Sequence, residues 1–387
     1  MAAFNVAIFL YLLKPNKLTM SKQLNRRTFL TQVSAAGIAA GLSSFPFISS
    51  AKFVNQQKKL GIALVGLGYY STGLLMPALE QTQHVKLVGL VTGTPEKAKK
   101  YGEKYNIPKE NIYNYRNFDE IASNPAIDVV YIVLPNSMHK EYTIRAAKAG
   151  KHVICEKPMA LDAAECREMI GACEKAGVSL SIGYRLHYEP YTQRIMQMAK
   201  EKPFGEIFMV HASAGFRMGR PTEAWKAKSL LGGGAIMDMG PYPLQAARYS
   251  TGLEPIAVTA QQFNTDPKVF DGVDETTTFQ LEFPGNIIAN CSTSFAANVN
   301  FLNINAQKGE YGLNPFSGYG GLHGYLPNKE TFDFPVMNQQ AKQMDEICLS
   351  IMDKRSSKTP GEEGLRDMVI IDAMRESVRK GGKRIIL

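Results

Sequence analysis

Regular patterning along the chain begins at residues 60–66, Leu-Gly-Ile-Ala-Leu-Val-Gly, an apolar run closed by glycine of the kind a strand covered on both faces requires. A helical stretch follows, then a second apolar strand over 86–91 and a helix over 95–105 whose Glu96, Lys99 and Lys100 form a polar face. Residues 128–134, Asp-Val-Val-Tyr-Ile-Val-Leu, read as another near-continuous strand stopped by Pro135. A helix over 139–149, a strand over 152–156, a helix over 163–176 and a strand over 179–183 continue the alternation. Alternating helices and unbroken apolar strands predict a doubly wound parallel sheet.

After residue 184 the period shortens to two. Segments 207–213, 256–263, 276–283, 287–294 and 301–306 read as strands, and Thr-Thr-Thr-Phe-Gln-Leu-Glu-Phe at 276–283 alternates most clearly. Pro284-Gly285-Asn286 supplies a hairpin turn to the next strand. Such alternation predicts an antiparallel sheet with one covered face and one face open to solvent or a partner subunit. A last helix over 363–380 spaces Leu365, Met368 and Met374 for one buried face and ends at Gly381-Gly382. The predicted class is α/β: an N-terminal Rossmann domain, then an α+β domain with a large, mainly antiparallel open sheet. The expected divisions are a leader over 1–50, a dinucleotide-binding domain over 51–183, a substrate-binding and oligomerisation domain over 184–380, and a tail over 381–387.

Composition sharpens this picture in three places. With 387 residues, 45% of them hydrophobic, the chain is long for one core, and 20% charged residues with 33 Gly and 20 Pro fit neither a coiled coil nor a low-complexity scaffold. The net charge of +9 suggests nucleic acid until it is located: Lys14, Lys17, Lys22, Arg26 and Arg27 supply five of those charges within the first 50 residues, which hold no Asp or Glu. The body keeps a modest excess and no recognition motif, so nucleic acid is not an expected partner. Asn25-Arg26-Arg27-Thr28-Phe29-Leu30, followed by a weakly apolar stretch over 33–47, reads as a twin-arginine export signal. That stretch contains Pro46 and falls short of the ~20 apolar residues of a spanning helix. The expected partner is the twin-arginine export machinery and the expected location periplasmic or otherwise exported, with membrane retention if the signal stays uncleaved. Met20 lies just ahead of the basic region, so residues 1–19 read as an upstream extension. Export of a folded protein has a chemical motive when a cofactor must be loaded first. Cysteines 155, 166, 173, 291 and 348 are odd in number, lack Cys-x-x-Cys spacing and read as buried apolar side chains; the six histidines show no metal spacing, so no metal is expected.

The cofactor site is read from the first strand-to-helix turn, Gly66-Leu67-Gly68-Tyr69-Tyr70-Ser71. Gly66 permits the tight turn, Gly68 lets backbone approach a pyrophosphate, and Ser71 replaces the third glycine with another small residue. An NAD site usually carries a carboxylate at the end of the second strand, but here the chain reads Leu90-Val91-Thr92-Gly93-Thr94 with no acid before Glu96. Thr92, Thr94 and Lys97 suit a 2′-phosphate, so NADP is favoured and NAD is the second choice. The later strand ends contribute Pro135, Asn136 and His139, then Glu156 and Lys157, with Arg185 beyond them. Lysine followed directly by Pro158 has a rigid exit, which makes Lys157 a catalytic candidate.

The substrate side is read from Gly183-Tyr184-Arg185-Leu186-His187-Tyr188-Glu189-Pro190 at the domain handover, dense in groups that suit a polyhydroxylated ligand. Gly232-Gly233-Gly234 then leads to Asp238 and Tyr242, four residues apart and on one face of a helix that Pro241 and Pro243 would bend or delay. Substrate contacts are assigned to Lys157, Arg185, Tyr188, Asp238 and Tyr242, and a loop around His323 is a candidate cover.

These stretches, with Ser357-Lys358-Thr359-Pro360-Gly361-Glu362-Glu363-Gly364, together resemble the glucose–fructose oxidoreductase / inositol dehydrogenase family, and within it the glucose–fructose oxidoreductases most. The resemblance implies catalytic Lys157, Asp238 and Tyr242, a tightly held NADP, a sugar substrate, and a sheet face used to build a homo-dimer or homo-tetramer. Only residues 49–59 are available for the proline-rich arm of the glucose–fructose enzymes, the chain stops at Leu387 without their C-terminal extension, and Trp225 is followed by Lys226 where they have arginine. Cofactor retention and the identity of the sugar are therefore left open. The leading expectation is hydride transfer between NADP(H) and a sugar or polyol. Its alternatives are an NAD-dependent glycosidase working by transient oxidation and elimination, which would release free aldose without net redox change, and a non-catalytic sugar or nucleotide sensor.

Overall fold

In the computed structural model, which describes residues 59–219, 225–270 and 272–387, the first apolar run becomes strand β1 (Leu60–Val65), with its last five residues buried. The leader expected at 1–50, including Arg26 and Arg27, lies outside the described residues. A π-helical turn at Tyr70–Leu75 leads into α1 (Met76–Leu79), followed by β2 (Val85–Val91), α2 (Pro95–Lys104), β3 (Ile112–Tyr113) and β4 (Val129–Ile132). Then come α3 (His139–Lys148), β5 (His152–Cys155), α4 (Ala163–Ala176) and β6 (Leu180–Ile182). Helix α4 shows how local chemistry sets these limits: the Asp162 side chain accepts from the Glu165 N–H at its start, and Gly177 at φ 67° closes its end. The six strands pair in parallel in the order β3-β2-β1-β4-β5-β6. That order reverses between β1 and β4, which opens a crevice beyond their C-terminal ends.

The chain continues through α5 (Pro190–Glu201), β7 (Ile207–Gly215), α6 (Ala235–Asp238) and α7 (Pro241–Thr251). Strands β8 (Ala257–Phe263), β9 (Thr276–Phe283), β10 (Ile287–Ser294), β11 (Val299–Ala306), β12 (Gly309–Leu313), β13 (Gly324–Tyr325) and β14 (Thr331–Phe332) follow, then α8 (Gln339–Met352), α9 (Gly361–Arg379) and β15 (Ile385–Ile386). The second sheet has the order β14-β13-β12-β11-β7-β10-β9-β8-β15, antiparallel except where β10 runs parallel to β7. Phe283 pairs with Ile287 across the expected Pro-Gly-Asn turn, with Gly285 and Asn286 at φ 78° and 61°. Alternate residues of β9 are buried; α6 packs against β9, α7 against the neighbouring β7 and β10, and α9 against β8. All five cysteines are free and buried, as their spacing suggests.

Helices α5 and α8 and the short strands β3 and β12 to β15 are additions to the predicted pattern. Two-residue strands carry no readable period. Helix α8 is hidden for a different reason, because its buried face mixes Ala341, Met344, Ile347 and Cys348 with Gln339, Gln340 and Gln343. The apolar members join Ile62, Leu64, Leu75 and Met76 in a core beneath the parallel sheet, so the C-terminal part of the chain returns to cover the first sheet. Helices α7 and α9 are tied by buried Arg248, whose Nη1 lies 2.6 Å from Asp367 and 2.9 Å from Glu363 while its Nε reaches Glu254 at 2.7 Å. Burial pushes the Asp367 carboxyl up to about 6 against the lowering pull of Arg248. Removing one partner from such a pair leaves the others buried without compensation.

Candidate active site

The C-terminal strand ends of the parallel sheet meet α6, α7 and the loop at 316–319 around one cleft of about 630 Å³. Gly66 stands at φ +90°, and a Cβ there would come within 2.3 Å of the Val133 carbonyl oxygen, so the turn demands glycine. Gly68 opens directly onto the cleft, with nothing within 4 Å of where its Cβ would be. Thr92, Thr94 and Lys97 line the same wall, and the Lys97 ammonium donates to the Leu67 carbonyl at 2.9 Å, which carries its charge across to the glycine turn. Glycine turn, helix start and an acid-free second strand end fit a dinucleotide with an anionic backbone.

Farther in, cationic and aromatic groups converge. The Lys157 ammonium donates to the Asp238 main-chain carbonyl at 2.5 Å and to its Oδ1 at 3.3 Å, and lies 5.0 Å from the centroid of the Tyr242 ring. The Arg185 guanidinium is gripped by the carbonyls of Gly318 and Ser317 at 2.9 and 2.5 Å and by the Gln339 side chain. Its Nη2 also donates to the Tyr242 hydroxyl at 3.4 Å, and its Cζ lies 4.3 Å from the centroid of the Tyr319 ring. Burial by itself would raise the Tyr242 phenol, but Arg185 and Lys157 outweigh it and hold the group below the usual tyrosine range. Burial likewise opposes ionisation of Asp238, yet Lys157 and Lys226 keep its carboxyl below the usual range. Lys157 is held above the ordinary lysine range, burial being overcome by Tyr242 and Asp238. Glu156 behaves oppositely, since burial pushes its carboxyl up; it accepts from the Tyr131 hydroxyl at 2.6 Å, which in turn accepts from Gln343 at 2.8 Å.

Comparison with known proteins agrees with the two-domain fold that carries this cleft. Residues 60–184 match the model described as "Oxidoreductase family, NAD-binding Rossmann fold", and residues 192–311 match the GFO/IDH/MocA C-terminal domain. The chain belongs to the GFO/IDH/MocA oxidoreductase family. A crystal structure of aldose–aldose oxidoreductase from Caulobacter crescentus, complexed with glycerol, is 40% identical with a TM-score of 0.81, covering 85% of this chain and all of that one. A D-xylose 1-dehydrogenase [NADP(+)] from Haloarcula marismortui is 28% identical over 81% of this chain and 90% of its own. A trans-1,2-dihydrobenzene-1,2-diol dehydrogenase from Xenopus laevis is 30% identical over 62% and 69%. These likenesses carry membership of the GFO/IDH/MocA family as a whole; they do not single out the glucose–fructose oxidoreductases within it.

As a member of this family the chain is an NAD(P)-binding oxidoreductase, and most of its expected site residues share the one cleft. Gly66, Gly68, Tyr69, Tyr70, Thr92, Thr94, Lys97, Pro135, Asn136, Glu156, Lys157, Arg185, Asp238 and Tyr242 all line it. Asp238 and Tyr242 reach it from two short helices, because the chain breaks at Met239 and Gly240 before Pro241 restarts the coil. Three expected contacts are corrected. Ser71 is buried inside the turn, its hydroxyl donating to the Gly66 carbonyl at 2.5 Å, so it braces the glycines from behind. His139 is buried with its ring nitrogens 2.9 Å from the carbonyls of Pro158 and Leu134, which ties the loops after β4 and β5 together away from the cleft. Tyr188 packs into the core under the parallel sheet, its hydroxyl 3.0 Å from that of Thr359. His323 also stays outside, with a largely exposed side chain, and the residue its loop region sends into the cleft is Tyr319. Tyr115, Phe216, Trp225, Lys226 and Tyr319 are among the lining residues that the sequence reading did not assign to the site. The charge at Lys226 was readable beside the single tryptophan, whereas nothing local marks Tyr115 or Phe216.

Proposed function

We propose that this chain is an NADP-dependent oxidoreductase that reversibly transfers a hydride between the cofactor and a carbinol or carbonyl carbon of an aldose or polyol. The observation that carries the reading is the Tyr242 phenol between the cations of Lys157 and Arg185, in a cleft that also takes in the Gly66 turn. The cofactor, when bound, supplies the hydride acceptor or donor. Tyr242 takes the proton from the sugar hydroxyl as the carbon is oxidised and returns it in the reverse direction. Lys157 and Arg185 stabilise the phenolate that does so, and ionised Asp238 accepts a hydrogen bond from a neighbouring sugar hydroxyl and orients it. Tyr319 and Trp225 offer aromatic faces to the sugar ring. The Caulobacter and Haloarcula relatives, named for aldose and D-xylose chemistry, support a sugar as substrate.

Preference for NADP over NAD rests on Thr92, Thr94 and Lys97 at an acid-free strand end. Mass identification of nucleotide released by denaturing the purified protein is expected to find NADP(H); stoichiometric NAD alone would sink the preference. Assembly to a homo-dimer or larger is proposed through the open face of the second sheet, where Met209 and Phe263 are exposed on the strands that also present His211, Thr259 and Gln261. Light scattering should give at least twice the protomer mass, and a monomer across physiological concentrations would count against it.

A further inference from the structure

Lys226 lines the cleft beside Asp238 but is not one of the groups that exchange the proton or hydride. It sits on the short turn Trp225–Ala227, with its ammonium 2.5 Å from Asp238 Oδ2 and 5.1 Å from the centroid of the Phe216 ring. The turn is built against the helix that carries Asp238. The Lys226 carbonyl accepts from the Gly234 N–H at 2.7 Å, and a Cβ on Gly233 would fall 2.2 Å from that same oxygen, so the glycine run before α6 allows the close approach.

The Asp238 carboxylate therefore has one lysine on each oxygen, and the two are unequal. Lys226 lies at 2.5 Å, whereas Lys157 lies at 3.3 Å and spends its shorter contact, 2.5 Å, on the uncharged main-chain carbonyl of Asp238. We propose that Lys226 is a positioning residue for proton transfer: it takes up the Asp238 carboxylate and so leaves the Lys157 ammonium free to act on Tyr242. Without Lys226, Asp238 and Lys157 would pair as a neutral couple beside the phenol, and much of the field of Lys157 at that oxygen would cancel. With it, the three groups keep a net positive charge. The other titratable groups facing Tyr242 are Arg185, Glu156, Tyr70 and Tyr319, whereas the hydrogen bond and ion pair of the Lys226 ammonium go to Asp238. The role rests on the reading of Tyr242 as the acid–base group.

Ultraviolet titration of the full-length protein tests this without a substrate, because the phenolate absorbance missing from Tyr242→Phe isolates the Tyr242 transition. Lys226→Gln is expected to move that transition about one pH unit upward, a ~10-fold smaller ionised fraction at a fixed pH on its rising flank, while Lys226→Arg leaves it near wild type. An unmoved transition in Lys226→Gln overturns the proposal, and so does an equal rise in Lys226→Arg. Failure of the underlying reading looks different: turnover then survives Tyr242→Phe, whatever Lys226 does to the titration.

Discussion

Tyr242→Phe is expected to lower turnover by ~1000-fold while leaving cofactor occupancy and the melting temperature near wild type. The substitution removes one oxygen, whose hydrogen bond in the protein is the long 3.4 Å contact from Arg185, so little stability depends on it. Helix α7 is anchored by other means, through Leu244 and Ala247 in the core and Gln245 and Arg248 on Asp367. The loss therefore falls on proton transfer, where a positioned acid–base group contributes ~10²–10⁴-fold. The pH dependence gives a second signature. Burial raises the phenol and the two cations more than reverse that, so oxidation should climb with pH through a midpoint below the ~10 of free tyrosine, and reduction should fall through the same range. Phenylalanine should abolish that limb in both directions. Rapid mixing of sugar with the oxidised holoenzyme isolates the step, and a hydride-transfer rate near wild type in the variant would remove Tyr242 from the mechanism.

How much of this site was legible follows from what kind of information each residue depends on. The glycine turn at 66–68 and Lys157 ahead of Pro158 are fixed by local sequence at strand ends, and a parallel sheet brings its strand ends together whatever the loops do. Side-chain direction within a turn is another matter. Arg185 and Tyr188 belong to one short turn, Arg185–Tyr188, yet the first faces the cleft and the second meets Thr359, 171 positions along the chain. That partner decides the outcome, and no local pattern announces it. Ser71 and His139 differ from expectation for the same reason, since a polar residue in the turn or helix start after a strand serves equally well to brace a loop as to touch a ligand. Lys226 and Tyr319 arrive from segments without periodicity, held by the glycine run at 232–234 and by the Arg185 contacts to Ser317 and Gly318. The support of Glu156 by Tyr131 and Gln343 depends on α8, whose glutamines disguised it as a polar segment.

Lys157→Met keeps the aliphatic reach of the side chain and removes its charge, and is expected to cost turnover ~100-fold or more. Lys157 is held above the ordinary lysine range by Tyr242 and Asp238 in spite of burial, so the wild-type group is cationic throughout the working pH range and the variant loses a standing charge. Asp238 retains Lys226 on its other oxygen, which spares the variant an unpaired buried carboxylate and keeps its melting behaviour close to wild type. What changes is the field at Tyr242: with only Arg185 left in direct reach, the rising limb of oxidation should move to higher pH, and part of the lost rate should return there. A lysine that merely held the sugar would instead raise KM at every pH with kcat little changed. The pairing can be tested further in the double variant, because two residues acting as one proton-transfer unit are not additive. Lys157→Met placed on Tyr242→Phe should cost less than ~10-fold more than Tyr242→Phe alone, whereas a full further ~100-fold loss would mean that Lys157 acts on the reaction by a route that does not pass through the phenol.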